Sequence, residues 1–270
     1  LVSTIISNLD STAHHPVFGI PNGSLLPNNF YSTEIYFYSA FFPCFIPGNY
    51  TVSWDNCCRN PSVINLINPG SLSMYLECNF TVDLTSSTSS PYFLSPPVVC
   101  VPLNTPWQYN PLPFDSEGDS LHWTLGIPFE YVPGNFPNGY PIAGYSTPPS
   151  SIGGGLSINS FTGEISWTAS TIGNYVYTVI CEEYRNGIKL GEIRRDMQFI
   201  VIPNGNLPLI SNLNNFSTNQ NGIPYFESMV NNSLDLELYV LDSSSFFLSF
   251  DGIGETFDDS LNPMTFSISS

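Results

Sequence analysis

The residues best placed for chemistry are acidic. Asp115-Ser-Glu-Gly-Asp119 sets carboxylates at alternate positions around a glycine. A hard cation such as Ca²⁺ takes about six to eight oxygen ligands, and a tight acidic loop supplies several of them. Asp115, Glu117 and Asp119 are therefore the candidate metal ligands, with Ca²⁺ as the candidate cofactor. The plainer alternative is an Asp/Ser/Gly turn with solvated charges. Asp251, Glu255, Asp258 and Asp259 form a second acidic cluster. Between residues 131 and 145, Tyr131, Phe136, Tyr140 and Tyr145 space aromatic rings through a proline- and glycine-rich stretch. Those rings are candidate glycan contacts, against the alternative of an ordered surface loop. His14-His15 reads as an exposed pair, and His122 falls on the outward face of its strand.

No His-Glu-x-x-His, Gly-x-Ser-x-Gly or P-loop pattern occurs. Glu130, Glu164, Glu182 and Glu183 are scattered, and nothing selects a glycosidase pair among them. No residue is therefore named as catalytic, and the chain is expected not to be an enzyme. The six cysteines are Cys44, Cys57, Cys58, Cys78, Cys100 and Cys181, none in a zinc-type CxxC spacing. An even count with little lysine favours disulfides and an oxidising compartment. Connectivity stays open among about fifteen pairings. Neighbouring cysteines rarely bond each other, because disulfide geometry is narrow. The expected bond therefore joins Cys57 or Cys58 to a non-adjacent cysteine, with Cys44 nearest in sequence.

These residues must be held by strands. The stretch 174–202, NYVYTVICEEYRNGIKLGEIRRDMQFIVI, reads as a long hairpin turning at Asn186-Gly187. It holds Arg185, Lys189, Arg194 and Arg195, four of the five cations in a chain of formal charge −17. Such concentration implies local pairing, with Glu182, Glu183, Glu192 and Asp196 nearest. Ile193, Arg195, Met197, Phe199 and Val201 alternate onto one face, so Arg195 is expected to be at least partly buried, paired to a carboxylate or to loop carbonyls.

Hydrophobic residues make up 42% and charged residues 10%, with 24 prolines and 20 glycines. That composition, with no helical periodicity, predicts an all-β protein. The acidic balance argues against nucleic acid and anionic membrane surfaces as partners. No apolar run is long enough to span a bilayer. No signal peptide is evident at Leu1, and the last residues read like an unfinished strand, so the chain is expected to be a mature piece of something longer.

Three β-units are expected. Residues 1–88 form an N-terminal β-domain in which residues 72–84 alternate strictly, Leu72, Met74, Leu76, Cys78, Phe80, Val82 and Leu84 facing a core. The Ser-rich stretch 86–90 reads as a boundary. Residues 89–203 then read as a β-sandwich of immunoglobulin or cadherin type, and 204–270 as a further β-module.

The series Trp54–Pro61 (WDNCCRNP), Ser90–Cys100 (SPYFLSPPVVC), Asp115–Leu121 (DSEGDSL), then FTGEISW with IGNY, then EEYRNGIKLGEIRRDMQF resembles the large secreted, gliding-motility-associated surface proteins of Bacteroidota. Those are exported by the type IX secretion system and are similar to cadherin- and PKD-like repeat proteins. The resemblance covers about residues 45–203. It implies tandem β-sandwich modules on the bacterial cell surface, acting as a non-catalytic structural or adhesive unit. Partners would be other modules of the same long chain, neighbouring surface subunits or a surface polysaccharide. A carbohydrate-binding module and a self-assembling filament subunit are the alternatives. The resemblance keeps CCRN together with EEYRNG…RRD, which leads to an expected docking of the CCRN segment on the hairpin, with Arg59 paired to Glu182 or Glu183.

Overall fold

Alternating side chains and frequent turn residues give strands through most of the described chain. The computed structural model describes residues 46–83 and 88–203 (less 94, 96, 112, 135–138 and 152–154), together with 8–9, 24–25, 34–36, 38–39, 209–210, 217 and 239–241. Short pairings join β1 (Asn8–Leu9) to β4 (Tyr38–Ser39) and β2 (Ser24–Leu25) to β3 (Glu34–Ile35). Next come β5 (Gly48–Cys57), β6 (Ser73–Val82), β7 (Tyr92–Phe93), β8 (Val98–Pro102), β9 (Trp107–Tyr109) and β10 (Pro113–Phe114). They are followed by β11 (Ser120–Gly126), β12 (Phe129–Tyr131), β13 (Gly139–Pro141), β14 (Ser157–Ile158) and β15 (Ile165–Trp167). The long strands β16 (Gly173–Arg185) and β17 (Ile188–Ile202) form the central hairpin, and β18 (Leu209–Ile210) pairs with β19 (Val240–Leu241). The fold is all-β; among the described residues the helical structure is one 3₁₀ turn at Pro69–Ser71.

An eight-stranded sheet runs β11-β16-β17-β6-β12-β13, with β5 paired to β6 and β8 parallel to β17. A smaller sheet, β14-β15-β9, supplies a second layer. Between them lies a core of Trp123, Tyr175, Tyr177, Val179, Cys181, Met197, Phe199 and Val201 against Leu156, Ile165, Trp167 and Ala169. Phe199 is its centre. The rings of Tyr177, Trp107 and Trp167 sit 4.2, 5.0 and 5.5 Å from it. Each such buried side chain contributes about 1.5–3 kcal/mol by leaving water.

At the hairpin tip Asn186 and Gly187 take φ of 51° and 78°, the left-handed pair a type I′ turn requires. Arg185 faces Ile188 and Tyr184 faces Lys189, but Glu183 then faces Gly191. A bulge between Glu183 and Tyr184 absorbs Leu190, so Glu183 does not lie opposite Leu190 as the turn alone implies.

The boundary expected at residue 88 falls inside one sheet. β6, from the expected N-terminal unit, hydrogen-bonds to β17 through Asn79↔Glu192 and meets β12 at Tyr75↔Phe129. A strand has two edges, and its own residues do not say what lies along the second. The alternating face of β6 is also only half-buried at Leu76, Cys78, Phe80 and Val82, while Tyr75, on the other face, is buried. The second layer covers β11, β16 and β17, and its core reaches only as far as Ile193.

On the outer face, residues 58–72 dock against the hairpin. Val63 bridges to Asn174, and Ile64 N–H donates to the Asn174 carbonyl at 2.9 Å. The Asn65 amide donates to the Val176 carbonyl at 2.8 Å and accepts from Val176 N–H at 3.0 Å, acting as a neighbouring strand would. Val63, Leu66, Ile142 and Val176 close over it as a second core. Arg59 is the anchor. Its Nη2 donates to Asp196 Oδ2 at 2.7 Å and to the Phe129 carbonyl at 2.8 Å, and its Nε to the Ser73 carbonyl at 3.1 Å. The docking expected of CCRN is present, but its partner is Asp196 rather than Glu182 or Glu183. Glu182 is held by Lys189, and Glu183 turns to the inner face.

The side chains of Arg59 and Asp196 are only 3% and 7% exposed. Removing one partner of such a buried pair costs about 3–5 kcal/mol, whereas an exposed pair is worth about 0–1 kcal/mol. Arg59→Ala is expected to lower the urea midpoint far more than Lys189→Ala in equilibrium unfolding. Similar losses in the two variants would show that Arg59 is not the anchor.

Candidate functional site

The Glu183 bulge and the Asp115–Asp119 turn meet at one end of the inner face. Asp115 Oδ1 accepts from Glu117 N–H at 3.1 Å and Asp119 N–H at 2.7 Å, the Asx arrangement that closes an acidic turn. Gly118, at φ 76°, takes the left-handed position within it. Asp119 is thereby set beside Glu183, and the candidate ligand atoms of Asp115, Asp119 and Glu183 all lie within 4.8 Å of one another. Arg185, two residues along β16, grips Asp119 with both arms of its fork: Nε to Oδ1 at 2.7 Å and Nη2 to Oδ2 at 2.6 Å.

Gly191 lets the β6 backbone come close, with Glu183 beside it in ordinary contact. A Cβ there would stand 3.0 Å from the Asn79 carbonyl and 3.6 Å from Glu183 Oε2. Residues 88–90, from the stretch expected to be a domain boundary, strap the site. Thr88 Oγ1 donates to Glu183 Oε1 at 2.8 Å, Ser89 Oγ to Glu117 Oε2 at 2.7 Å, and Ser90 Oγ lies 3.3 Å from Cys78 Sγ.

Glu183 is 3% exposed. Burial is the main force lifting its carboxyl to about 7, opposed by the Thr88 bond and reinforced by Asp119 and Asp115. The Arg185 fork holds Asp119 below the ordinary carboxylate range. The pair thus divides its roles, Asp119 as the anion and Glu183 as the proton carrier near neutrality. Burial, with Glu183 nearby, also pushes the Cys181 thiol up to about 12.

For a metal, the ligand set differs from the expected Asp115, Glu117 and Asp119. Glu117 turns away to Ser89 and Ser116, and Glu183 takes its place. Asp115 Oδ2 is buried without a hydrogen-bond partner, which suits a cation. Both Asp119 oxygens are already engaged by Arg185, which leaves few free oxygens for the coordination Ca²⁺ prefers.

The other expected residues are dispersed. Arg195 lies on the inner face, as its alternation requires, and donates to the Ser95 carbonyl, while its guanidinium sits 4.3 Å over the Phe93 ring. Glu182 is on the outer face with Lys189, Tyr184 and His122. Tyr140 is exposed opposite Glu130, whereas Tyr131 pairs with Gly139 and so faces the other side. Tyr145 packs on the second core, and burial raises its hydroxyl to about 12. These rings do not form one stacking platform, because strand parity separates them; Phe136 lies outside the described residues.

Cys57 and Cys58 are bonded to each other, against the expectation of a non-adjacent partner. Their Cα atoms are 3.0 Å apart across a cis peptide bond, which the expectation left out of account. Cys78, Cys100 and Cys181 are free thiols, and Cys44 lies outside the described residues. Cys78 and Cys181 flank Ile193 from opposite sides. Two strand spacings, about 9.5 Å, exceed the reach of a disulfide, about 7 Å.

Sequence reasoning missed Asn65 and Thr88. Nothing local marks Asn65, since its amide matters only because Val176 is opposite; Thr88 sits in a composition that reads as a domain boundary. Asp196 was legible as a charge beside Arg194-Arg195, but not as the partner of Arg59.

The lifted Glu183 carboxyl makes stability depend on pH. The folded value of about 7 exceeds the ordinary 4.5. Its contribution is therefore complete below the unfolded value and is lost as pH rises through the folded one. The melting temperature of the natural chain should fall between about pH 4.5 and pH 7, and Glu183→Gln should flatten that slope. An unchanged slope in the variant would take Glu183 out of the account.

No family model matches this chain, and no curated protein matches it. Among solved structures it is similar to a presumed α-galactosidase from Bacteroides fragilis, at 18% identity and TM-score 0.27. That likeness covers 45% of this chain and 19% of the other, and at that level it carries no argument about fold or activity.

Proposed function

We propose that the chain is a non-catalytic structural or adhesive β-module of a bacterial cell-surface protein, of the immunoglobulin- or cadherin-like sandwich kind repeated in tandem. One observation carries this reading: the chain has five Lys and Arg residues, and each one ties the hairpin together or to another segment. Arg59 ties the 58–72 segment to β17, and Arg185 ties β16 to the acidic turn. Arg194 reaches the Ile127 carbonyl and sits 3.7 Å over the Phe129 ring, Arg195 reaches Ser95, and Lys189 bridges Glu182 and Glu192. Cations spent on cross-linking suit a part that bears load. The Cys57–Cys58 disulfide accords with an oxidising, extracellular setting, although the free thiols do not add to that.

Pulling the chain between handles tests the mechanical half of the reading. Residues 46–203 should release about 500 Å of contour in one step, at about 3.3–3.6 Å per residue. Two separate steps divided near residue 88 would restore independent domains and remove the cross-linked unit. A panel of aryl glycosides tests the other half. Turnover that Glu183→Gln abolishes would overturn the non-catalytic reading, and glycan-array binding lost in Tyr140→Ala would replace it with carbohydrate recognition.

A further inference from the structure

Arg195 is a half-buried cation at the edge of the core, without a carboxylate partner among the described residues. Asp196, its neighbour in sequence, points to the outer face and is taken by Arg59 and Thr178. The guanidinium has the Ser95 carbonyl on one arm, the Tyr109 hydroxyl beside it and the Phe93 ring on its face. Its Nη1 is buried with no hydrogen-bond partner, and so is the hydroxyl of Tyr177, a residue with 0% exposure. The two belong together. Val179 is opposite Arg195 and Met197 is opposite Tyr177, so Arg195 and Tyr177 are diagonal neighbours on the inner face, within reach of long side chains. Across the core, the Tyr109 hydroxyl is bonded to Ser95 Oγ at 2.7 Å.

The protein does not supply the missing charge. Burial raises both Tyr109 and Tyr177, so neither is a phenolate. Burial also pulls Arg195 down, yet a guanidinium stays charged at any ordinary pH. An unpaired buried charge is costly, and unmet buried donors call for an unseen water or ion. Both orphaned atoms carry hydrogens to donate, and one of them is cationic. A water could accept from both but would leave the charge unbalanced. A small monovalent anion accepts from both and neutralises the guanidinium.

We propose that Arg195 Nη1 and the Tyr177 hydroxyl hold a buried halide-sized anion between the two sheets. The core would then carry an ion pair completed from solution, which ties β17 and β16 to the 93–95 segment.

Bromide is the probe. In crystals of the chain grown with sodium bromide, an anomalous peak is expected within about 3–3.5 Å of both Arg195 Nη1 and Tyr177 Oη, somewhat longer than an N–H···O contact. In solution, chloride or bromide should raise the melting temperature over sodium gluconate at matched ionic strength, by about 3 °C per tenfold above the dissociation constant. Tyr177→Phe keeps the ring and removes one donor, so it should fold and lose most of the halide response. Arg195→Met should lose it entirely; if that variant fails to fold, Tyr177→Phe and the anomalous map decide. A water in place of the bromide peak, or an equal halide response in Tyr177→Phe, would overturn the site.

Discussion

A buried guanidinium must be met on every side, and the arrangement of the outer face follows from meeting Arg59. Its partners come from three strands: the Ser73 carbonyl on β6, the Phe129 carbonyl on β12 and Asp196 on β17. These strands converge where β6 passes from pairing with β17 to pairing with β12. Asp196 is itself oriented by Thr178, whose hydroxyl donates to Oδ1 at 2.6 Å. Once Arg59 is seated, the following residues are led across β16, Asn65 reaches Val176, and the second core forms over it. The interaction is as much about position as about energy, since the desolvation of such a pair offsets much of its Coulomb gain.

The inner face shows the same economy of charge. Strand alternation and one bulge decide that Arg195 and Glu183 point inward while Arg194, Asp196 and Glu182 point outward. Each inward charge is handled differently. Glu183 is buried among carboxylates, and its carboxyl is raised to about 7, so that it takes up a proton as pH falls below neutrality. Arg195 has no such option, because a guanidinium does not deprotonate, and it takes a carbonyl and an aromatic face instead. The strap 88–90 closes over the acidic end by bonds to Glu183, Glu117 and Cys78. What looks like a hinge in composition is a tether in space, and it spans the parts that a two-domain division would separate.

The all-β class, the hairpin and its turn could be read from the sequence, because they rest on local chemistry. Strand periodicity is set by pleating, and Asn-Gly suits the left-handed turn better than most pairs. Arg195 inward and Arg194 outward follow from the same alternation, as does the acidic Asp115–Asp119 turn. Tertiary structure alone decided the rest, for one reason: edges, registers and partners are relations between distant segments. Nothing near Arg59 says that Asp196 waits 137 positions along. The pairing of β11 with β16 sets Leu121 opposite Glu183, and so brings the acidic turn ahead of β11 to Glu183 as a three-carboxylate cluster. Tyr131 and Tyr140 part company because β12 and β13 align Glu130 with Tyr140. Residue types determined which groups needed partners; only the meeting of strands determined which partners they found.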